Sequence, residues 1–221
     1  LEIKVVKKAL AAGEAVAGEI REKLAENGVY MVNFMGSPGS GKTAVVERLL
    51  ESGLGGLRTA VVEGDIATTA DAERLARFDI PIVQVNTEPF GGDCHMPPNL
   101  LASGLEDFDL SALDLVVVEN VGNLVCPAEF DIGENLKVVV ISVAEGEDKP
   151  LKYPLMFRES GLCVVTKTDL VGALDFELGR LRENISRVNG TISIIETSAR
   201  TGTGIDELEG FLISRTGETI T

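Results

Sequence analysis

From Tyr30 onward the chain alternates short apolar runs with longer segments of mixed polarity. The runs are "YMVNFM" (Tyr30–Met35), "TAVVE" (Thr59–Glu63), "IPIVQV" (Ile80–Val85), "LDLVVVE" (Leu113–Glu119), "LKVVVISVA" (Leu136–Ala144), "LCVVT" (Leu162–Thr166) and "TISIIE" (Thr191–Glu196). They are continuous and rich in Val and Ile, the pattern of strands covered on both faces. Helical segments are expected at Lys42–Glu51, Thr69–Phe78, Pro98–Leu105, Leu151–Ser160, Ala173–Val188 and Gly204–Leu212. This alternation predicts an α/β domain over residues 29–221, with a mainly parallel central sheet of about seven strands and helices on both faces. Ahead of it, Leu1 to Asn27 reads as a helix that Asn27-Gly28 ends. That segment, residues 1–28, is expected to pack on the domain or on a partner.

Ligands of such sheets bind beyond the carboxyl ends of the strands. The first run leads into "GSPGSGKT" (Gly36, Ser37, Pro38, Gly39, Ser40, Gly41, Lys42, Thr43) and then into a helical segment. A strand, a G-x-x-x-x-G-K-T loop and a helix together define a P-loop nucleotide site. Backbone N–H groups and the helix N-terminus make an anion cradle. Lys42 is expected to reach the β- and γ-phosphates, and the Thr43 hydroxyl to hold Mg²⁺. Asp65 and Glu119 close later strands at the same edge, where a carboxylate can bind the metal's shell or orient the attacking water. Asp71 either joins them or serves as an acidic residue in the first turn of a helix. Gly122 stands where a turn sensing the γ-phosphate would sit.

The base is suggested by "VVTKTDL" (Val164–Leu170). Lys167 and Asp169 have the Lys-x-Asp spacing of a guanine reader. The carboxylate accepts from guanine N1–H and N2–H₂, a donor pair adenine does not offer. The usual motif has Asn where Thr166 stands. Ser198 and Ala199 in "ETSARTG" are expected to touch the guanine oxygen. GTP and GDP are therefore the expected nucleotides.

Charge narrows the partners. With 20 basic and 35 acidic residues the net charge is −15, which opposes nucleic acid and anionic membranes as partners. No apolar run reaches the length of a membrane span and no signal-peptide pattern is present, so a cytoplasmic location is expected. Three separated cysteines do not make a disulfide framework, and their thiols are expected to be free to act as ligands. Cys94 and the chain's one histidine, His95, are adjacent in "GGDCHMPPN". Glycines and prolines there suit a shaped loop rather than a core. Cys126 follows Glu119 and Gly122 on another loop. If the two loops meet, they offer two thiolates and an imidazole, a set suited to Zn²⁺ or Ni²⁺. Three donors leave a tetrahedral site open to water, Asp93 or a second copy of the chain. Cys163 reads as a buried strand residue.

The ordered set "GSPGSGKT", "EGDIATTADAERL", "GGDCHM", "VVVENVGNLVCP", "SVAEGEDKPLKYP" and "TKTDL" resembles the HypB family of GTPases that assist nickel insertion into [NiFe] hydrogenases. The likeness runs from about Met31 to the C-terminus. It implies slow GTP hydrolysis and a GTP-promoted homodimer. It implies a Zn²⁺ or Ni²⁺ site at the dimer interface, built from Cys94, His95 and Cys126. The implied partners are a HypA-type nickel chaperone and the hydrogenase large-subunit precursor. It places Lys149 or Lys152 within reach of the partner's nucleotide. Besides Thr166 in place of the family's usual Asn, two departures stand out. The chain has neither the Cys-rich nor the His-rich N-terminal stretch of some members, and Met96-Pro97-Pro98 replaces the more usual residues after the Cys-His pair. A urease-type nickel GTPase is the nearest alternative. A P-loop small-molecule kinase and a non-catalytic metal-storage protein are further ones.

Overall fold

The computed structural model describes residues 4–65, 74–87 and 94–220. Its strands are β1 (Tyr30–Met35), β2 (Thr59–Asp65), β3 (Ile82–Asn86), β4 (Leu115–Glu119), β5 (Leu136–Ser142), β6 (Leu162–Thr166) and β7 (Ser193–Glu196). They form one sheet in the order β3-β2-β4-β1-β5-β6-β7. Every neighbouring pair runs parallel. All carboxyl ends therefore share one edge. Strand β1 lies centrally between β4 and β5, so its loop opens at the crevice where such sheets bind ligands.

The helices are α1 (Lys4–Glu26), α2 (Lys42–Ser52), α3 (Pro98–Leu105), α4 (Cys126–Glu129), α5 (Lys149–Lys152), α6 (Pro154–Glu159), α7 (Leu178–Val188) and α8 (Ile205–Ile220). The strands alternate their side chains between two layers, as a pleated sheet must. Val32 and Phe34 of β1 pack with Val46 and Leu49 of α2 and Leu208 and Leu212 of α8. On the other face, Met31 joins Ile20 and Leu24 of α1 and Leu101 of α3. Met35 joins Met156 and Phe157 of α6 and Leu181 of α7. Between those two apolar clusters β1 carries Asn33, which is fully buried. The C-terminal half of α1 thus belongs to the core, and Arg21 binds Asp131 at 2.6 Å.

Several boundaries differ from the pattern's expectation. The Leu151–Ser160 segment is two short helices, because Tyr153 leaves helical geometry (φ −124°, ψ 56°) ahead of Pro154; a residue before proline is disfavoured in the α region. The Ala173–Val188 segment begins as a 3₁₀ turn over Thr168–Ala173, and its helix starts only at Leu178. The last helix runs on to Ile220, past the apolar run that suggests Leu212 as its end. Residues 69–73, half of the expected helix Thr69–Phe78, lie outside the described residues, and the chain turns out of helix after Leu75.

Candidate nucleotide and metal site

The loop after β1 turns through Ser37–Ser40 (Ser40 N to Ser37 O, 3.1 Å) into α2. Gly41 caps that helix with φ 98°, a left-handed conformation that glycine adopts without steric cost. The Lys42 ammonium is buried and folds back over the loop, 3.4 Å from the Gly36 carbonyl and 3.5 Å from that of Ser37. These groups border a cavity of about 510 Å³, with Pro38, Thr43, Glu63, Glu119, Gly122 and Lys167 around it. A helix N-terminus, inward amides and a lysine suit an oligophosphate.

Two carboxylates face this cradle. The Thr43 hydroxyl donates to Glu119 Oε1 at 2.8 Å. Glu63 stands beside Glu119 in register on β2, and both are at least 97% buried. A hydroxyl with carboxylate oxygens is the hard donor set that Mg²⁺ prefers. Glu63 escapes the sequence reading, which passes over it in favour of Asp65; the signal was an acid closing an otherwise apolar run. Asp65 is the last residue of β2, and its side chain, like Asp71 and Asp93, lies outside the described residues. Gly122 meets the loop closely: a Cβ there would lie 2.9 Å from Pro38 Cγ and 3.0 Å from Pro38 N. Any side chain would push the β4 turn away from the phosphate loop.

A second cavity, about 320 Å³, adjoins the first through Gly41, Ala44 and Lys167 and includes Asp169 and Ala199. The Ser198 hydroxyl donates to Asp169 Oδ1 at 2.6 Å, aligning the carboxylate. Lys167 adopts a left-handed conformation (φ 58°) and its ammonium holds the Gly39 carbonyl at 2.7 Å. The Thr166 hydroxyl donates to the Ser40 carbonyl at 2.5 Å. Thr166 therefore braces the phosphate loop. Two residues that sequence reasoning missed add to this frame. Glu145 accepts from the Ser37 hydroxyl, and the Arg48 guanidinium donates to the Ala199 carbonyl at 2.5 Å.

The loops after β3 and β4 meet. Cys94 and Cys126 are joined by a disulfide, with Cα atoms 6.1 Å apart. This corrects the expectation of free thiols at these positions: the tertiary structure makes neighbours of two cysteines that lie 32 residues apart. The His95 ring stacks on Phe130, with centroids 4.0 Å apart. Among the described residues no group of three or more His, Cys, Asp or Glu side chains is arranged to hold a metal ion. Cys163 is the free, buried cysteine, and burial pushes its thiol well above the usual range.

Residues 30–196 match the family model described as CobW/HypB/UreG, nucleotide-binding domain. The chain belongs to this family. Within it the resemblance is to HypB. The chain is 42% identical to the hydrogenase maturation factor HypB of Rhizobium leguminosarum bv. viciae, over 95% of this chain and 69% of that one. It is 36% identical to the hydrogenase/urease maturation factor HypB of Helicobacter hepaticus, over 95% and 86%. The crystal structure of HypB from Helicobacter pylori in complex with nickel superposes with a TM-score of 0.87 at 32% identity, covering 95% of this chain and 97% of that one. The chain spans 63–69% of the length of the longer curated relatives.

Seen as a HypB fold, the site residues fall into two groups. Lys42, Thr43, Glu119 and Gly122 surround one cavity, and Lys167, Asp169 and Ala199 border the next. Cys94, His95 and Cys126 sit on loops leaving the same edge. Lys152 pairs with Asp148 at 2.6 Å, and Lys149 lies over the Tyr153 ring. Among the described residues no helix is long and apolar enough to cross a membrane.

Proposed function

We propose that this chain is a GTP-hydrolysing metallochaperone that carries Ni²⁺, or Zn²⁺ in its place, and assists nickel insertion into a [NiFe]-hydrogenase precursor. The observation that carries the reading is the junction of the two loops. Asn123 donates its backbone N–H to the Gly36 carbonyl at 2.9 Å, and its side chain accepts from the N–H of Cys126 at 3.4 Å. A phosphate loop and a cysteine pair thus share one residue as their link.

In this reading the loop amides and Lys42 bind the phosphates, and Asp169 orients guanine while Ser198 aligns it. Thr43, Glu119 and Glu63 would hold Mg²⁺, which when bound neutralises charge developing on the phosphate oxygens. Glu119, with Asp65 at the end of β2, takes the role of orienting the attacking water in this reading. Reduced Cys94 and Cys126, with His95, bind the metal cargo as soft donors. A second copy of the chain, recruited on GTP binding, completes the donor set, and Lys149 or Lys152 reaches the partner's nucleotide. A HypA-type chaperone and the hydrogenase large subunit are the partners, in the cytoplasm. A urease client is the second reading, favoured by the similarity to the hydrogenase/urease maturation factor of Helicobacter hepaticus.

The test is a titration of Zn²⁺ and Ni²⁺ into reduced protein loaded with GDP or a non-hydrolysable GTP analogue, with oligomeric state read in the same samples. Coupling requires that metal affinity differ between the two states. The expected result is a changed affinity together with dimerisation, and loss of metal binding in Cys94→Ala. Equal affinity in both states, or an unaffected variant, removes the metal half of the proposal and leaves the GTPase half.

A further inference from the structure

A closed circuit of contacts, buried at Asn33, Asn120, Glu134 and Met96 and half-buried elsewhere, runs through His95. Its ring lies on Phe130. The Phe130 carbonyl accepts from Lys137 Nζ at 3.0 Å. Lys137 Nζ is 3.7 Å from Glu134 Oε1, which accepts from Asn33 Nδ2 at 3.1 Å. Asn33 Oδ1 accepts from Asn120 Nδ2 at 3.1 Å. Asn120 Oδ1 accepts from the N–H of Met96 at 2.9 Å, and Met96 follows His95. The path leaves His95 through its ring and returns through its backbone.

Fold stability alone does not account for this circuit. Asn33, Asn120 and Glu134 are at least 91% buried, and they interrupt two apolar clusters on the same face of the sheet. Burying polar groups is costly unless each is paired, and apolar replacements of equal shape often serve stability as well or better. What the circuit supplies is position. Its nucleotide end is Asn120, which directly follows Glu119, the acceptor of the Thr43 hydroxyl. Asn120 N also donates to the Phe34 carbonyl of β1 at 2.9 Å. A shift of the Glu119–Gly122 turn therefore moves the amide that holds Met96. Asn33 is the hub, since its amide faces Asn120 on one side and Glu134 on the other.

We propose that Asn120, Asn33 and Glu134 are positioning residues that tie the placement of the His95 ring to the nucleotide state of the phosphate loop. This rests on the reading of that loop as a GTP site and does not require the metal. Coupling of this kind needs an element whose arrangement both ends bias, and the circuit offers a contiguous one, made of four hydrogen bonds, one ion pair and one ring stack.

His95 is the chain's one histidine, so its imidazole gives a single set of nitrogen and carbon-bound proton resonances. The experiment records these on metal-free, reduced full chain saturated with GDP or with a non-hydrolysable GTP analogue. Nucleotide binding is measured beforehand by displacement of a fluorescent nucleotide. The expected result is an imidazole shift difference between the two states in the original chain. That difference is lost in Asn33→Val, which still binds both nucleotides. Glu134→Gln keeps the shape and an acceptor while removing the charge that holds Lys137, and serves if Asn33→Val does not fold; it should shrink the difference. A merely structural role would lower the melting temperature and leave the difference intact. The proposal is overturned by an imidazole blind to nucleotide in the original chain, or by an unchanged difference in the folded variants. A parallel Zn²⁺ titration separates the two ideas: failure of Zn²⁺ to bind, with the imidazole still responding, sinks the metal reading and leaves the relay standing.

Discussion

Asn123 and Gly36 meet across 2.9 Å, backbone N–H to carbonyl, and so join the turn after β4 to the phosphate loop after β1. The side chain of the same asparagine accepts from Val125 N at 2.7 Å and from Cys126 N at 3.4 Å. A displacement at the phosphate loop therefore reaches Cys126 through one residue. The backbone half of this link is independent of side chain, whereas the half that orients Cys126 depends on the amide.

The Thr43–Glu119 contact leads to a prediction about magnesium. Thr43→Ala and Glu119→Gln each remove a hard oxygen donor beside the phosphates. Phosphate release should fall by about 10²–10³-fold, the usual scale for removing one preorganised electrostatic group. The magnesium concentration for half-maximal rate should rise, with a smaller rise in Glu63→Gln. Phosphate release followed across a magnesium titration checks this. An unchanged midpoint in Glu119→Gln would show that the cation is held elsewhere.

On the proposed reading Asp169 recognises the base, whereas Thr166, three residues earlier, braces the phosphate loop. Asp169→Asn replaces a carboxylate acceptor with an amide, and hydrogen bonds to charged groups are worth about 1.5–3 kcal/mol. GTP affinity should drop roughly ten- to a hundredfold relative to ATP. Thr166→Ala removes the hydroxyl that braces Ser40, so it should weaken GTP and ATP alike. Competition against a fluorescent nucleotide distinguishes the two patterns. A selective loss of GTP in Thr166→Ala would make Thr166 a base reader instead.

Acid stability should depend on Asp114. The Arg58 guanidinium beside it, donating at 2.7 and 2.9 Å, is the main cause that holds its carboxyl below the usual range, against the opposing effect of burial. A depressed folded value means that the unfolded chain binds this proton first as pH falls. The contribution is present above the ordinary aspartate value of about 3.9 and is lost as pH falls through the lower folded value. The melting temperature should therefore fall less between about pH 6 and about pH 3 in Arg58→Met than in the original chain. Equal falls would show that this pair does not contribute.

How much of this was legible in the sequence depends on the range of the signal. The strands are runs of Val and Ile, which read directly because both faces of the sheet are covered by helices. The phosphate loop is legible because glycine spacing, lysine and threonine act within eight consecutive residues. Asn33 in "YMVNFM" stands out as polar within an apolar strand, but its partners Asn120 and Glu134 are 87 and 101 residues away. No local pattern names them.

The sequence by itself determined the α/β class, the phosphate loop, the Lys-x-Asp motif and the residues that resemble HypB, since each depends on periodicity or short spacing. Only the tertiary structure decided which residues meet. Strand order sets Glu63 beside Glu119, brings Thr166 to the Ser40 carbonyl, and joins Cys94 to Cys126. It also closes the circuit around His95. The physical reason is that a parallel sheet gathers the ends of strands distant in the chain along one edge, and contacts at that edge are fixed by strand order and register rather than by neighbours in sequence.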